Sequence, residues 1–545
     1  MHWLGRTLWA YLGWFILPIF AALVWWYPRL GARWFDPIEK AAAHFSSRKS
    51  ATLAAIALTA LAVRLALLVA LPVPVPAVHD EFGYLLEADT FVHGRLTNPP
   101  HPLWIFFDTF HVLQHPTYQA MYPPAQGAVL ALGRLLGHPW IGVLLSTVVM
   151  CAAMTWMLQG WFPPHWALLG GVLVLLRLCW FSYWLESYWG GAIAATGGAL
   201  VLGAFRRIVH HRRPTDALLM GLGAGLLAVS RPLEGAWFCI PVAIAFLAWL
   251  VSLHGREIWT TARRLIPPLL FAPCIALIFT GYYNRSVTGS AFVDPHVLDA
   301  RLYQSLPPFV WQAPIPRRVY SNAQFEGFYN VWSIRAYRQP FLRLCWYKIY
   351  DWWRFFVGSS LALPLLALPW VLRDRRTRLP LVLCVWCGLG LLAVIYFEPH
   401  YAAPMAGAFF IVLVQSMRHL RRWQIGGRPV GIFLTRLVLL LGLAQLGVLT
   451  VAAYQHPLLD WSVYRDRIER QLEATPGKQL VIVRYAPDHN VHHEWVYNGA
   501  DIDGEKVAWA REIPGRDLRP LLEYFHDRTV WVVEADQNPP KLEPY

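Results

Sequence analysis

The chain has 545 residues, of which 56% are hydrophobic and only 15% charged, with a formal net charge of +14. A soluble protein carries about 25% charged residues, so this composition excludes an ordinary soluble enzyme. The positive charge is divided among short loops between apolar runs, which argues against a nucleic-acid surface and for a topology signal.

Apolar runs of roughly 18 to 25 residues, the length that crosses a bilayer, recur along the sequence. They predict membrane helices near 7–27, 51–71, 138–158, 165–183, 188–205, 216–231, 235–253, 264–282, 355–372, 379–397, 401–418 and 429–454. The run from Leu8 to Trp26 is too long and too aromatic for a signal-peptide core and has no small-residue cleavage site after it, so a retained helix is expected. Tryptophans such as Trp25-Trp26, Trp352-Trp353 and Trp461 sit near run ends, where amphipathic rings anchor at the lipid–water boundary.

Clusters of Arg and Lys at 29–49, 206–213, 256–264, 373–378 and 418–428 mark the expected cytoplasmic side. Alternation then puts both chain ends outside, with 72–137, 184–187, 232–234, 283–354 and everything after 455. The fold class expected is an all-α polytopic membrane bundle of about twelve helices, with a small C-terminal α/β domain. Three parts follow: an extra N-terminal helix and loop over 1–50, a transmembrane domain over 51–455, and a soluble unit over 456–545. In that unit Gln479–Tyr485, Lys506–Arg511 and Thr529–Glu534 read as strands and Asp517–Phe525 as a helix. Pro124 to Leu136 is apolar but too short to span, and predicts a helix at the membrane surface.

The seven cysteines are odd in number and fall in or beside apolar runs, so no disulfide framework is expected. Cys384 and Cys387 form a CxxC inside a predicted membrane helix, where packing is the plainer reading. His489, His492, His493 and Glu494 match no defensible metal-ligand spacing, and no metal site is assigned.

The chemistry-bearing stretch is His79-Asp80-Glu81-Phe82-Gly83-Tyr84, directly after the second predicted helix. Carboxylates at a membrane surface lose hydration and need a reason to stay. A helix N-terminus is one such reason, since its unpaired N–H groups and dipole favour acids. Gly94-Arg95-Leu96 and Met121-Tyr122-Pro123-Pro124 follow.

In order, these are a membrane helix, an Asp-Glu pair, an amphipathic helix ending in Gly, a Tyr-Pro-Pro segment and a Gly-rich surface helix. This order resembles the GT-C class of membrane glycosyltransferases, in particular the relatives of protein O-mannosyltransferases and of the lipid A aminoarabinose transferase. The resemblance covers roughly 50–420 and is best over 79–235. It implies an enzyme of the plasma (inner) membrane that takes a sugar from a polyprenyl-phosphate donor and passes it, with inversion, to a glycan, lipid or protein acceptor on the outer, periplasmic face. It implies Asp80 as general base, with Glu81 orienting the acceptor or coordinating a divalent cation. Glu186, in Trp184-Leu185-Glu186-Ser187-Tyr188, stands where the family expects a second acid, though usually Asp. Arg231, in Ser230-Arg231-Pro232, is the expected phosphate ligand, and Tyr122, His400 and Tyr401 are expected to touch donor or acceptor. Asp80, Glu186 and Arg231 are therefore expected to converge on one cavity. The alternatives are a transporter or flippase of a lipid-linked sugar and a non-catalytic membrane scaffold. A transporter would show two repeated halves with polar groups at mid-membrane, and no repeat is found.

Overall fold

The computed structural model describes residues 25–313, 315–455 and 460–545. All but the last residues of the helix predicted at 7–27 lie outside them. Among the described residues, eight helices are long and apolar enough to cross a membrane, from Lys49–Val69 to Val430–Gln455. Three shorter apolar helices, Pro164–Cys179, Pro214–Ser230 and Leu363–Arg373, join them. Each predicted run from 51–71 onward falls on one of these eight or three. Unpaired backbone cannot face lipid, which is why the apolar runs close on themselves as helices. The chain is a multi-pass membrane protein.

Packing between the spans rests on small residues. A Cβ on Gly198 would lie 2.0 Å from the Pro404 carbonyl oxygen, and one on Gly223 would lie 2.6 Å from that of Gly197. Ala192–His211 thereby sits flush against its neighbours, as small residues permit between membrane helices. The Pro399–Arg421 span is buried along 94% of its apolar window, so it forms the bundle's centre.

The segments 72–137, 283–354 and 460–545 pack together at one end of the bundle. Phe110 meets Phe325 and Phe328 with ring centroids 4.9 and 4.7 Å apart, and Phe82 stacks on Tyr497 at 4.2 Å. The C-terminal unit holds a four-stranded sheet in the order β4-β3-β5-β6, where β3 is Lys478–Arg484, β4 Val507–Arg511, β5 Arg528–Glu534 and β6 Lys541–Pro544. β3 pairs in parallel with both β4 and β5, and β6 is antiparallel on β5. The unit's three predicted strands and its helix, Arg519–Tyr524, are present. β6 had no sequence signal, since Lys541–Pro544 carries one apolar residue and a proline. The helix Phe341–Phe356 was also not predicted. It is amphipathic and leaves Leu342 and Trp346 at 81% and 68% exposed, the pattern of a helix lying in the interface plane.

Candidate functional site

The helix His79–Val92 opens on an extended Val78, and its first turn carries both acids. Consecutive helical residues diverge by about 100°, and the two acids have separate fates. Glu81 turns back to the chain before the helix. Its Oε2 accepts the N–H groups of Ala77 at 2.7 Å and Val78 at 3.0 Å, and its Oε1 accepts that of Tyr188 at 2.8 Å. Both oxygens are thus committed to backbone, and the side chain is buried, which pushes its pKa up to about 7. Glu81 does not line the cavity described next. It ties the helix start to the 180s loop.

Asp80 is half-exposed and lines a cavity of about 560 Å³. Its Oδ1 accepts the Tyr122 hydroxyl at 2.7 Å. Tyr122 follows a short hairpin, β1 (Val112–Leu113) and β2 (Gln119–Ala120), and stacks on Tyr84 at 4.3 Å. Gly83 makes this approach possible, because a Cβ there would stand 2.8 Å from the Tyr122 ring. Tyr122 therefore orients the carboxylate and does not itself line the cavity.

Glu398 lines the same cavity, one residue before the Pro399–Arg421 span. Burial, then the nearby Asp80 charge, push its carboxyl up to about 7. Tyr401 also lines it, and the Arg231 guanidinium stacks behind that ring at 4.7 Å while lying 3.8 Å from Glu234. Arg231 does not itself line the cavity. The cations that do are Arg343 and Lys348, both on Phe341–Phe356. The Lys348 ammonium is buried, donates to the carbonyls of Leu391 and Val394, and is pushed down to about 8 by burial.

Glu186 is absent from the cavity. Its carboxylate is held by the buried Arg64 through two bonds of 2.8 Å, and Arg64 also donates to the carbonyls of Leu71 and Pro72. The expected convergence of Asp80, Glu186 and Arg231 is therefore not met: a buried guanidinium holds Glu186, and Arg231 stands behind Tyr401. His400 is also one layer behind the wall. Its Nδ1 pairs with the Tyr183 hydroxyl at 2.9 Å and its ring packs on Trp189 at 4.8 Å.

Sequence reasoning missed Glu398, Lys348 and Arg343. The signal for Glu398 was an acid between Phe397 and Pro399 at the end of an apolar run, the argument already applied to Asp80. Lys348 stands in Trp346-Tyr347-Lys348-Ile349-Tyr350, where the surrounding aromatics masked it.

No family model matches this chain, and no curated protein matches it. Among solved structures, ArnT from Cupriavidus metallidurans in the apo state superposes with a TM-score of 0.51 at 15% identity, over 87% of this chain and 92% of that one. The same protein bound to undecaprenyl phosphate gives 0.50 at 14% identity, over 88% and 92%. The chain has the GT-C fold. Within that fold the cavity lies where Asp80 at the start of its helix, the Glu398 loop and the interfacial helix Phe341–Phe356 meet. An oligosaccharyltransferase of Archaeoglobus fulgidus is a more distant likeness, with a TM-score of 0.40 at 10% identity over 88% of this chain and 69% of that one.

Proposed function

We propose that this chain is a membrane glycosyltransferase that moves a sugar from a polyprenyl phosphate to an acceptor hydroxyl, with Asp80 as general base. The observation that carries the reading is a single cavity that joins an oriented carboxylate to the polar side of a lipid-facing amphipathic helix. A polyprenyl tail stays in the bilayer while its phosphate reaches the wall made by Arg343 and Lys348. Arg231 adds positive field from behind Tyr401.

The acceptor oxygen forms a bond to the anomeric carbon as the bond from that carbon to the phosphate oxygen breaks. The acceptor proton passes to the free oxygen of Asp80, and the bonding pair leaves on the phosphate. Positive charge aimed at the leaving group and a base within hydrogen-bond reach are the two supports such a step needs. A single in-line displacement inverts the anomeric configuration. The polar groups gather at one end of the bundle, whereas a flippase needs them at mid-membrane.

The test is mass spectrometry of the lipids that copurify with the protein from native membranes. A polyprenyl phosphate, bare or sugar-bearing, is the expected enriched species. Enrichment of bulk phospholipid alone would overturn the donor assignment.

A further inference from the structure

The C-terminal unit walls one side of the cavity. Its lining residue there is His492, from the segment that joins β3 to β4. That segment runs from 485 to 506 without a helix or strand. Loops of this length are uncommon in compact domains and are usually either functional or linkers. It also leaves the carboxyl end of a parallel strand, the edge at which open α/β sheets bind ligands.

The loop is fixed rather than draped. Arg465 donates to the carbonyls of Trp495 and Tyr497, each at 2.9 Å, and the Tyr497 hydroxyl pairs with His79 Nδ1 at 2.8 Å. His79 directly precedes Asp80, so the unit grips the residue beside the base. His492 then meets Trp332 at 4.7 Å and Phe328 at 5.8 Å edge-on, and stacks on His79 at 6.0 Å.

His111 completes this wall. It adopts φ 62°, a left-handed conformation that is costly for a residue with a Cβ. Its Nδ1 is buried without a hydrogen-bond partner among the described residues, although its ring lines the cavity. Burial holds the imidazoles of His79, His111 and His492 below their usual range, so they are uncharged at neutral pH. A neutral imidazole offers one donor and one acceptor, which suits a hydroxyl and gives an anion no charge to pair with. The charge felt at this cluster is that of Asp80, which directly follows His79 and acts on His111.

We infer that the side formed by His79, His111, Phe328, Trp332 and His492 is the acceptor subsite, that it takes an uncharged, polyhydroxylated glycan, and that the C-terminal unit completes it. This rests on the transferase reading above. Aromatic rings with a few polar groups are the usual lining of such a pocket. An anionic acceptor would meet the Asp80 carboxylate beside these uncharged rings.

The experiment is photo-crosslinking in the native host, with p-benzoylphenylalanine placed in the full chain at His492 or, separately, at Leu344 on the interfacial-helix wall. Irradiated protein is purified and its adducts are identified by mass spectrometry. The expected adduct at 492 bears neutral sugar residues, and that at 344 bears a polyprenyl chain. Adding Trp332→Ala should lower the sugar adduct at least about tenfold, the worth of roughly 1.4 kcal/mol, and leave the polyprenyl adduct unchanged. A polyprenyl adduct, a protein adduct or an acidic glycan at 492 would overturn the inference, as would no adduct there while 344 still captures lipid. A sugar adduct at 492 without polyprenyl capture at 344 would keep the glycan subsite and sink the donor reading. Failure at both positions would overturn both.

Discussion

Gly83→Ala tests whether the Tyr122–Asp80 contact governs turnover. The added Cβ would stand 2.8 Å from Tyr122 Cε2 and 3.2 Å from Cδ2, with the Ala120 Cβ only 3.5 Å away. Ordinary contact needs a shift of about 0.6 Å or more, and stacking on Tyr84 at 4.3 Å leaves the ring little room. Any such shift lengthens the 2.7 Å bond to Asp80 and turns the carboxylate. Overpacking costs about 1–3 kcal/mol, and the better helix propensity of Ala returns about 1 kcal/mol, so net stability should fall by no more than about 2 kcal/mol. Turnover should fall further, by roughly 10²-fold, the usual effect of displacing a reacting group by 1 Å. The assay is transfer of radiolabelled sugar in nanodiscs, with thermal unfolding of the same samples. Tyr122→Phe should reproduce the kinetic loss without the steric strain. Wild-type turnover in both variants would refute the argument that Tyr122 orients the base.

Asp80→Asn keeps shape and hydrogen bonding but removes the proton acceptor, so turnover should drop about 10²- to 10⁴-fold with donor affinity little changed; a product retaining the donor's anomeric configuration would rule out the in-line step. Glu398 is protonated below about pH 7 and charged above it, where it repels the donor phosphate. Donor KM should therefore rise as pH passes about 7. Glu398→Gln should abolish that limb, and an unchanged pH profile in the variant would refute the assignment. Glu186→Gln leaves the buried Arg64 without its counter-charge, so the protein should lose about 3–5 kcal/mol of stability. Its residual activity per folded molecule, measured by active-site titration, should stay near wild type, and a selective loss of turnover would return Glu186 to the chemistry.

The spans and the sheet were legible because their signals are local: apolar length for the one, Val-rich runs between turns for the other. The placement of Asp80 in the first turn of a helix was legible for a similar reason, since its neighbours carry the pattern of a helix start. Glu186 was misread because its partner lies far away in sequence. Arg64, a charged residue inside the apolar run 51–71, was the clue that went unused: at 0% exposure it must have a counter-charge. Glu398 and Lys348 were hidden for a different reason. Each is a lone ionisable group in an aromatic setting, and only the folding of Phe341–Phe356 across the cavity gives either a meaning. His492 was noticed as part of a histidine cluster and set aside on metal spacing. Its place in the wall depends on how the C-terminal unit docks, which no local pattern encodes.

The start of the helix His79–Val92 explains why one acid of the Asp-Glu pair is free. A carboxylate at a helix N-terminus is drawn to unpaired N–H groups, and a lone acid there would cap the helix and be unavailable as a base. Here Glu81 absorbs that demand, accepting the N–H groups of Ala77 and Val78, while also holding Tyr188. Asp80 is relieved of capping and, among the described residues, is claimed instead by the Tyr122 hydroxyl through Oδ1. On the proposed reading, its other oxygen takes the acceptor's proton. The pair thus divides two tasks that a single carboxylate at this position could not perform together. On the proposed reading, exchanging the two residues should fail twice, because the shorter Asp at 81 cannot span the loop and the longer Glu at 80 would overreach Tyr122.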